Sequence, residues 1–382
     1  MDDQGGPASQ ILKIGIVGLG NAASMIVPAL KGSSDAVLAG AADIRAEARA
    51  KVADTYGVPA VATVEELVRC DLDAVWVATP NQFHADQAVV AANAGKHVIC
   101  EKPMALSLAE CDRMIDAAAA NGVKLLLGHS KLAQAPVRKM REILTGGMLG
   151  RVIQVATWNY NDWLQRPRLR AEVDTEEGGG ICYRQAPHQV DIVRYLVGKP
   201  ARTIRGFVHR ADPSFPTEGD YTALLSFEGG TPASLVYNAY GYFDISELTW
   251  NIGEGGRMQK PRYGRKRASG AVTPEIRYAN REAAAPGERH QPFYGLTIVS
   301  CERGVIRQSP DGIFIYDASG CREVACDDQP SIHRDVAELA AAIAEHRAPF
   351  PDGAWGRATL EVCLGLLESA ASGRDVPLRY QG

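Results

Sequence analysis

The chain has 382 residues, of which 46% are hydrophobic and 23% charged, so it is large enough for two globular domains. A formal net charge of −4 gives no basic surplus for nucleic acid, and no apolar run approaches the ~20 residues of a membrane span. The composition therefore argues against a nucleic-acid partner and against membrane insertion. Residues 1–10 lack the basic and apolar segments of a signal peptide, and we interpret them as a disordered leader of a cytoplasmic protein.

The cysteines show neither a disulfide framework nor a metal site. Eight of them are scattered along the chain, without a CxxC pair and without a His/Cys cluster at zinc-ligand spacing. We therefore predict reduced thiols, most of them small core residues, and no bound metal.

Short apolar strands alternate with helical patterns in the first third of the chain. The strand patterns lie at 12–17, 37–42, 73–78, 98–100 and 124–127, and the helical patterns at 22–30, 46–56, 82–94 and 108–121. Pro28 falls inside the first helical pattern and should kink it. The alternation predicts an α/β domain over residues 11–130, built as a Rossmann-type doubly wound parallel sheet.

The pattern changes after about residue 128. Longer runs, several alternating polar with apolar residues, follow at 152–160, 203–209, 221–227, 233–240, 248–252, 295–299, 305–308 and 313–316. They predict a second α/β domain over residues 131–332, with an open and mostly antiparallel sheet. Helical patterns at 334–345 and 357–372 should pack back on the first domain. The basic, irregular stretch 257–292 is interpreted as a solvated loop or an oligomer arm.

A glycine-rich turn follows the first strand. In Gly18-Leu19-Gly20-Asn21-Ala22-Ala23, the first glycine permits a tight turn and the second lets the backbone approach a pyrophosphate. Ala23 allows the helix to sit close to the strand, and the N-terminus of the helix offers N–H groups to phosphates. A tight turn without a ligand would show the same spacing, so this motif alone does not decide between the two interpretations.

Asp43 favours a dinucleotide cofactor. It ends the second strand about 20 residues beyond the glycines, where a carboxylate can bind the adenosine ribose hydroxyls. A carboxylate would repel a 2′-phosphate, which favours NAD, although Arg45 and Arg49 could pair with that phosphate in NADP. We place Ile44 and Arg45 with Asp43 in the cofactor site. The alternative for Asp43 is a cap of the helix that begins at Ala46.

Four motifs in order carry a family resemblance: Gly18 to Ala23, Thr79-Pro80-Asn81-Gln82-Phe83-His84, Glu101-Lys102-Pro103, and Gly178-Gly179-Gly180 followed by His188. With them the chain resembles the glucose–fructose oxidoreductase, inositol dehydrogenase and MocA (Gfo/Idh/MocA) family nearly from end to end. The resemblance implies a Rossmann domain and a C-terminal α/β domain whose open sheet forms a homodimer or homotetramer. It also implies that Lys102 and His188 flank the nicotinamide and the reacting hydroxyl. The residues implied to line the cofactor are Thr79, Pro80, Asn81, His84 and Glu101.

Arg184 departs from the family pattern. Where the family commonly has an aspartate that contacts substrate hydroxyls, this chain has an arginine, and Ala186 replaces a glycine. A guanidinium only donates hydrogen bonds, in a fork that matches a carboxylate, so we predict a small anionic substrate. Arg166, Arg168 and Arg170 could add positive charge, or they could be solvated. The alternative for Arg184 is a structural ion pair with Asp191 or Glu177.

Within the family, Asn161-Asp162-Trp163-Leu164, the run from Arg184 to Asp191, and Ser300-Cys301-Glu302-Arg303-Gly304 look most like phthalate 4,5-cis-dihydrodiol dehydrogenases. That branch oxidises an aromatic-acid cis-dihydrodiol to a catechol. The resemblance places five residues at the substrate: Arg184, Asp191, Tyr160, Trp163 and Arg166.

Two residues could act as the base that takes the hydroxyl proton. His188 suits the task at neutral pH, whereas Lys102 would need a pKa about 3 units below its usual value. We favour His188 as the base and Lys102 as the ammonium that polarises the oxygen, with exchange of these roles open. Asp191, one helical turn beyond His188, could orient the imidazole. The rival interpretations are a sugar, inositol or sugar-acid dehydrogenase of the same family, and a dinucleotide-binding sensor without turnover.

Overall fold

The computed structural model describes residues 11–128, 131–261, 263–264, 288–327 and 329–381. The chain divides into two compact units, the first made of residues 1–129 and 330–357 and the second of residues 130–329 and 358–382. The predicted leader, residues 1–10, lies outside the described residues, as does most of the basic stretch 257–292. Of the segment 333–382, the part up to Arg357 belongs to the first unit and the remainder to the second.

The first unit contains a parallel sheet. In its described part the strands are β1 (Leu12–Val17), β2 (Ala36–Ala42), β3 (Ala60–Val61), β4 (Ala74–Val77), β5 (His97–Cys100) and β6 (Leu125–Leu127), in the order β3-β2-β1-β4-β5-β6. Each neighbouring pair is parallel. This order is that of the doubly wound dinucleotide-binding fold, so the predicted Rossmann-type sheet is confirmed.

Helices connect these strands, namely α1 (Ala23–Lys31), α2 (Ala46–Tyr56), α3 (Val64–Leu67), α4 (His84–Asn93) and α5 (Leu108–Ala120). Pro28 lies within α1, as the sequence indicates. β4 is buried at every position, which explains why its sequence is a continuous apolar run rather than an alternating one. Fully buried Ile14, Trp76 and Leu30 belong to one core cluster, and each such side chain contributes about 1.5–3 kcal/mol of burial free energy.

The second unit contains a larger sheet. Its described strands are β7 (Val152–Tyr160), β8 (Ala201–His209), β9 (Asp220–Phe227), β10 (Pro232–Asn238), β11 (Leu296–Cys301), β12 (Gly304–Gln308), β13 (Gly312–Asp317), β14 (Gly320–Ala325) and β15 (Val376–Pro377). Their order is β14-β13-β12-β11-β7-β10-β9-β8-β15. β7 and β10 are parallel, and the other neighbouring pairs are antiparallel. The predicted mostly antiparallel sheet is therefore confirmed.

The remaining helices are α6 (Ala135–Thr145), α7 (Gly180–Arg184), α8 (Ala186–Val197), α9 (Ser331–Ala344) and α10 (Gly353–Ser372). Helix α9 belongs to the first unit, where Val336 and Leu339 join the core of α1 and the parallel sheet. Helix α8 is buried in the second unit at every position except Tyr195. On the sheet itself, Leu224 and Phe207 are 54% and 50% exposed, so part of one face is open.

The predicted strand at 248–252 is wrong. Ile245–Thr249 is a 3-10 helix, and Trp250 and Asn251 follow it with φ angles of 54° and 58°. Polar side chains before and inside the run explain the difference, because Asp244 Oδ1 accepts the Ser246 N–H at 2.9 Å and Thr249 Oγ1 donates to Ile252 O at 3.0 Å. Such local hydrogen bonds compete with strand pairing.

The eight cysteines, all within the described residues, form no disulfide bond, and five of them are buried. Within the described ranges, no group of three or more His, Cys, Asp or Glu side chains is placed to hold a metal ion. No helix in the part of the chain that the structure describes combines the length and the apolar character needed to cross a bilayer.

Candidate active site

The glycine-rich turn lies at the carboxyl end of β1. Gly18 has a φ of +91°, and a Cβ there would lie 2.7 Å from Thr79 Cγ2 and 2.9 Å from the carbonyl of Ala78. Only glycine fits, because of both the backbone conformation and the close approach of the turn after β4. Ala22 precedes α1 without a side-chain cap, so the helix start has N–H groups for an anion. These features fit a dinucleotide pyrophosphate.

Asp43 at the end of β2 is held by four donors. Its Oδ2 accepts the Leu19 N–H at 2.7 Å and Arg45 Nη2 at 2.9 Å, and its Oδ1 accepts Arg45 N and Nε at 2.8 and 2.9 Å. Although burial acts in the opposite direction, hydrogen bonds from Arg45 and Leu19 hold the pKa of Asp43 below its usual value. The N-cap residue of α2 is Arg45 and not Asp43. The Asp43 carboxylate instead accepts the Leu19 N–H of the glycine-rich turn.

The two residues that follow Asp43 have different surroundings. Arg45 Nη2 also donates to Leu19 O at 3.0 Å, while Ile44 is 89% exposed. Arg49 donates through Nη1 to the carbonyl oxygens of Asp43 and Ile44. Because these four donors fill the acceptor positions of the carboxylate, a ribose hydroxyl would bind Asp43 by replacing one of them, and the Arg45 side chain, 36% exposed, is the accessible donor.

The turn after β4 is tied to the turn after β5 by His84. The imidazole Nε2 lies 2.9 Å from Thr79 O and Nδ1 lies 2.9 Å from Pro103 O. His84 is 1% exposed, and Asn81, which begins a 3-10 helix, is 6% exposed. The structure thus places the His84 ring between two backbone carbonyls. A direct contact of His84 with the cofactor stays a prediction, as it does for Thr79, Pro80 and Asn81.

Glu101 and Lys102 follow β5 at the same edge of the sheet. Glu101 is buried and accepts a hydrogen bond from Trp76 Nε1 at 3.2 Å. Burial raises the pKa of Glu101 to about 7, while the Lys102 ammonium and the Trp76 N–H act in the opposite direction. Lys102 is half-buried, and the Lys102–Pro103 peptide bond is cis. The ends of β1, β2, β4 and β5 meet at the carboxyl edge, where doubly wound sheets bind their ligands.

In the second unit, the three-glycine motif is explained by close packing. A Cβ on Gly179 would lie 2.5 Å from Ala171 O, and one on Gly180 would lie 2.2 Å from Thr217 Oγ1. The buried Glu218 carboxylate accepts the Cys182 N–H of α7 at 3.0 Å and Thr175 Oγ1 at 2.6 Å. This packing fixes the start of α7 and, through it, the position of α8.

His188 lies on α8 and is 6% exposed. Its ring packs edge-on against Tyr294, with the two centroids 4.8 Å apart. The Tyr294 hydroxyl donates to Gln185 O at 2.9 Å, and Lys131 Nζ lies 5.2 Å from the Tyr294 ring centroid. Tyr294 and Lys131 therefore belong to the surroundings of His188, although no sequence motif marks them.

Asp191, one turn beyond His188, has a partner in the C-terminal helix. It is 1% exposed, and its Oδ1 accepts Thr359 Oγ1 at 2.5 Å, while Arg194 Nη1 donates to the same hydroxyl at 2.7 Å. The carboxylate is thus part of a buried network. Its predicted contacts with substrate and with the imidazole stay predictions.

Two arginines share the buried carboxylate of Glu172. Arg184 Nη2 lies 3.4 Å and Arg168 Nη1 3.7 Å from Glu172 Oε1, and the two side chains are 25% and 8% exposed. Arg168 stacks over the Trp163 ring at 4.3 Å, so the buried Trp163 supports this guanidinium. The partner that the structure gives Arg184 is Glu172, which the sequence did not single out.

Tyr160 ends β7, and Arg166 follows a short 3-10 helix, Trp163–Gln165, in the same unit. Arg166 Nε donates to the buried Asp162 carboxylate at 2.7 Å. Although burial acts the other way, the carboxylates of Asp162 and Glu254 raise the pKa of Arg166. Tyr160 packs edge-on against Phe243 at 5.7 Å. The cluster of guanidinium groups gives this part of the second unit a donor-rich surface.

The comparisons with known proteins follow this division of the chain. A model of an oxidoreductase family with an NAD-binding Rossmann fold matches residues 12–129, and a GFO/IDH/MocA C-terminal domain model matches residues 137–258. The chain is 32% identical over 378 residues, 94% of each protein, to 1-carboxy-3-chloro-3,4-dihydroxycyclohexa-1,5-diene dehydrogenase of Comamonas testosteroni. This chain belongs to the Gfo/Idh/MocA family.

Further proteins are similar over different shares of the chain. The crystal structure of a dehydrogenase from Bordetella bronchiseptica RB50 superposes with a TM-score of 0.92 at 38% identity, covering 96% of this chain and all of that one. Myo-inositol 2-dehydrogenase of Thermotoga maritima is 29% identical over 197 residues, 50% of this chain and 57% of that protein. The family resemblance inferred from the motifs is therefore confirmed.

This Gfo/Idh/MocA protein is an NAD-dependent dehydrogenase. The residues of the first unit fit the cofactor, since Gly18 leaves room for backbone approach, α1 begins uncapped, and Asp43 ends β2. When bound, NAD⁺ supplies the acceptor for a hydride. Sequence reasoning missed Tyr294 and Lys131, which are remote in sequence from the motifs, and Glu172, which belongs to none of them.

Proposed function

We propose that this Gfo/Idh/MocA enzyme oxidises a secondary alcohol on an anionic substrate, an aromatic-acid cis-dihydrodiol, and yields the catechol. The observation that carries the proposal is the arginine pair around Glu172, in which Arg184 remains 25% exposed. Two guanidinium groups lie near one carboxylate, and a guanidinium binds a carboxylate in a bidentate fork. The relative from Comamonas testosteroni supports this choice, because its name describes a carboxylated, vicinally dihydroxylated ring.

His188 and Lys102 divide the acid/base work in this proposal. His188 accepts the proton of the hydroxyl while the carbon-bound hydrogen leaves as hydride, and the Lys102 ammonium polarises the oxygen. The reverse assignment of the two roles is the alternative. The first product is a hydroxy-dienone, which loses a ring proton and gains one on oxygen to become the catechol. Aromatisation therefore makes the oxidation strongly favoured.

A substrate panel tests the proposal. NADH formation is measured with carboxylated cis-dihydrodiols, an uncarboxylated cis-dihydrodiol and myo-inositol. We expect Arg184→Ala to raise KM for the carboxylated compounds by about 10- to 100-fold, the loss of a charge-assisted hydrogen bond, with little change for the uncarboxylated one. Arg170→Ala is the matched control, because Arg170 lies in the same region and its side chain is 85% exposed.

The outcomes separate the candidate substrates. Equal turnover of myo-inositol and a carboxylated dihydrodiol would refute the anionic-substrate proposal. Turnover of inositol or sugars alone would support the rival function, which the similarity to myo-inositol 2-dehydrogenase favours. Lys102→Ala should lower kcat by about 100-fold or more while NAD binding is kept, since a positioned acid/base group contributes about 10²–10⁴-fold. A binding sensor would show NAD affinity without turnover of any alcohol.

We also propose that the open sheet face forms a homodimer or homotetramer. Phe207, Leu224 and Trp158 are 50%, 54% and 38% exposed, which is a large apolar surface for one face of a sheet. Leu224→Glu should shift the mass measured by light scattering after gel filtration towards the monomer. A wild-type monomer at micromolar concentration would contradict the proposal.

A further inference from the structure

Lys131 and Glu254 form an ion pair that the reaction described above does not use. Lys131 Nζ lies 3.5 Å from Glu254 Oε2, and the two side chains are 10% and 43% exposed. A close ammonium–carboxylate hydrogen bond measures about 2.7–2.9 Å, so the two charged groups are neighbours at a longer distance than that of a direct hydrogen bond. The ammonium is buried and the carboxylate is accessible.

Lys131 of this pair and His188 pack against the same tyrosine within the second unit. Lys131 Nζ lies 5.2 Å from the Tyr294 centroid, and the His188 ring packs 4.8 Å from the same tyrosine. Burial and, to a lesser degree, the Glu254 carboxylate raise the pKa of Tyr294, as they do for Tyr237. One buried tyrosine thus joins the proposed base to a separate donor–acceptor pair.

The backbone that leads to Glu254 is strained. Trp250 and Asn251 both have a left-handed conformation, with φ angles of 54° and 58°, and a bulky residue such as tryptophan rarely adopts it. Hydrogen bonds hold this turn on both sides, from Asn251 N to Ser246 O and from Gln259 N to Asn251 O, each at 2.7 Å. Strain that is held in this way is concentrated at functional sites.

We propose that Lys131 and Glu254 bind a second substrate hydroxyl, adjacent to the one that is oxidised, and thereby make the enzyme selective for vicinal diols. A hydroxyl can accept from the ammonium and donate to the carboxylate at the same time, which neither a ketone nor an ether can do. The two residues act on specificity, whereas His188 acts on the proton. The inference rests on the proposed function for the position of the oxidised hydroxyl.

The experiment compares a diol with its deoxy analogues. Initial rates of NADH formation are measured for cis-3,4-dihydroxycyclohexane-1-carboxylate and for the two monohydroxy acids that lack either hydroxyl. In Lys131→Met and Glu254→Gln we expect kcat/KM for the diol to fall about 10- to 100-fold, while kcat/KM for the better monohydroxy acid stays within about 3-fold. The matched controls are Lys139→Met and Glu142→Gln, an ion pair on the exposed side of α6.

Each outcome decides the inference. Equal losses on the diol and on the monohydroxy acid, in either variant, identify a structural ion pair and overturn it. Glu254→Gln preserves the shape of the side chain, so it gives the answer even if Lys131→Met folds poorly by circular dichroism. If the wild type oxidises neutral vicinal polyols but no carboxylated diol, the proposed substrate is wrong. The inference is then decided by comparing kcat/KM of the two variants on that polyol and on its deoxy analogue. Turnover of no vicinal diol overturns both.

Discussion

Replacement of His84 by leucine tests whether a buried imidazole holds the turn that carries Lys102. In the native protein the two ring nitrogens face Thr79 O and Pro103 O at 2.9 Å each, and the residue is 1% exposed. Leucine fills a similar volume but donates no hydrogen bond. Each buried carbonyl that loses its donor costs about 1–3 kcal/mol of unfolding free energy. A neutral imidazole donates one hydrogen bond, so we expect His84→Leu to lower the unfolding free energy by about 1–3 kcal/mol.

The effect on activity follows from the position of Pro103 next to Lys102. A displacement of about 1 Å at a catalytic group costs about 10²-fold in rate, so we expect kcat to fall about 10- to 100-fold while KM for NAD changes by less than about 3-fold. Unfolding in urea and steady-state NADH formation measure the two quantities.

His97→Leu is the matched control for this experiment. His97 also contacts backbone, because its Nδ1 accepts the Lys124 N–H at 2.9 Å, but it begins β5, whereas Lys102 follows the end of that strand. It should lose stability and keep kcat. A His84→Leu enzyme with native stability and kcat would refute the reasoning, and equal loss of kcat in both variants would show a general effect of destabilisation.

Three further predictions concern buried carboxylates. Because the folded-state pKa of Glu101 is raised from 4.5 to about 7, its stabilising contribution is full below pH 4.5 and is lost as the pH rises through 7. In urea unfolding, the wild type should therefore lose about 1–3 kcal/mol of unfolding free energy between pH 4.5 and 8, relative to Glu101→Gln. Parallel pH profiles of the two proteins would contradict this. Asp43→Ala should weaken NAD binding by about tenfold or more in calorimetry, because the ribose hydroxyls and the Leu19 N–H lose their acceptor, whereas an unchanged Kd would exclude Asp43 from the site. Glu218→Ala should lower the unfolding free energy by about 1–3 kcal/mol, because the Cys182 N–H loses its acceptor, and an unchanged urea midpoint would show that the cap is dispensable.

The parallel sheet could be predicted because local patterns determine it. Buried runs such as β4, the helix stop at Gly57 and the tight turn at Gly18 each have a short-range physical cause. The two-residue strand β3 was not predicted, since a strand of that length carries no periodicity. The strand predicted at 248–252 is wrong because the hydrogen bonds that the Asp244 side chain accepts and the Thr249 side chain donates outweigh the β propensity of the run.

The candidate site could be predicted only where motifs are local. The turn at Gly18, Asp43 and the Glu101-Lys102 segment follow strands that the sequence defines, so their common edge follows from the topology. Tyr294 and Lys131 pack beside each other although most of the second unit separates them in sequence, and composition does not mark either. Glu172 could not be predicted as a partner of Arg184 either, because nothing local distinguishes it from the neighbouring Glu176 and Glu177.

Strand β7 has an unusual position that bears on how such an enzyme changes over time. It lies between β10 and β11, so the strands β8 to β10 attach to one side of it and the hairpins β11 to β14 to the other. In the chain, the segment from Asn238 to Leu296 joins those two groups and carries both Glu254 and Tyr294. Because each group pairs locally, this connection can vary in length and sequence at little cost to strand register. Substrate preference can therefore diverge in one segment while the scaffold is inherited unchanged.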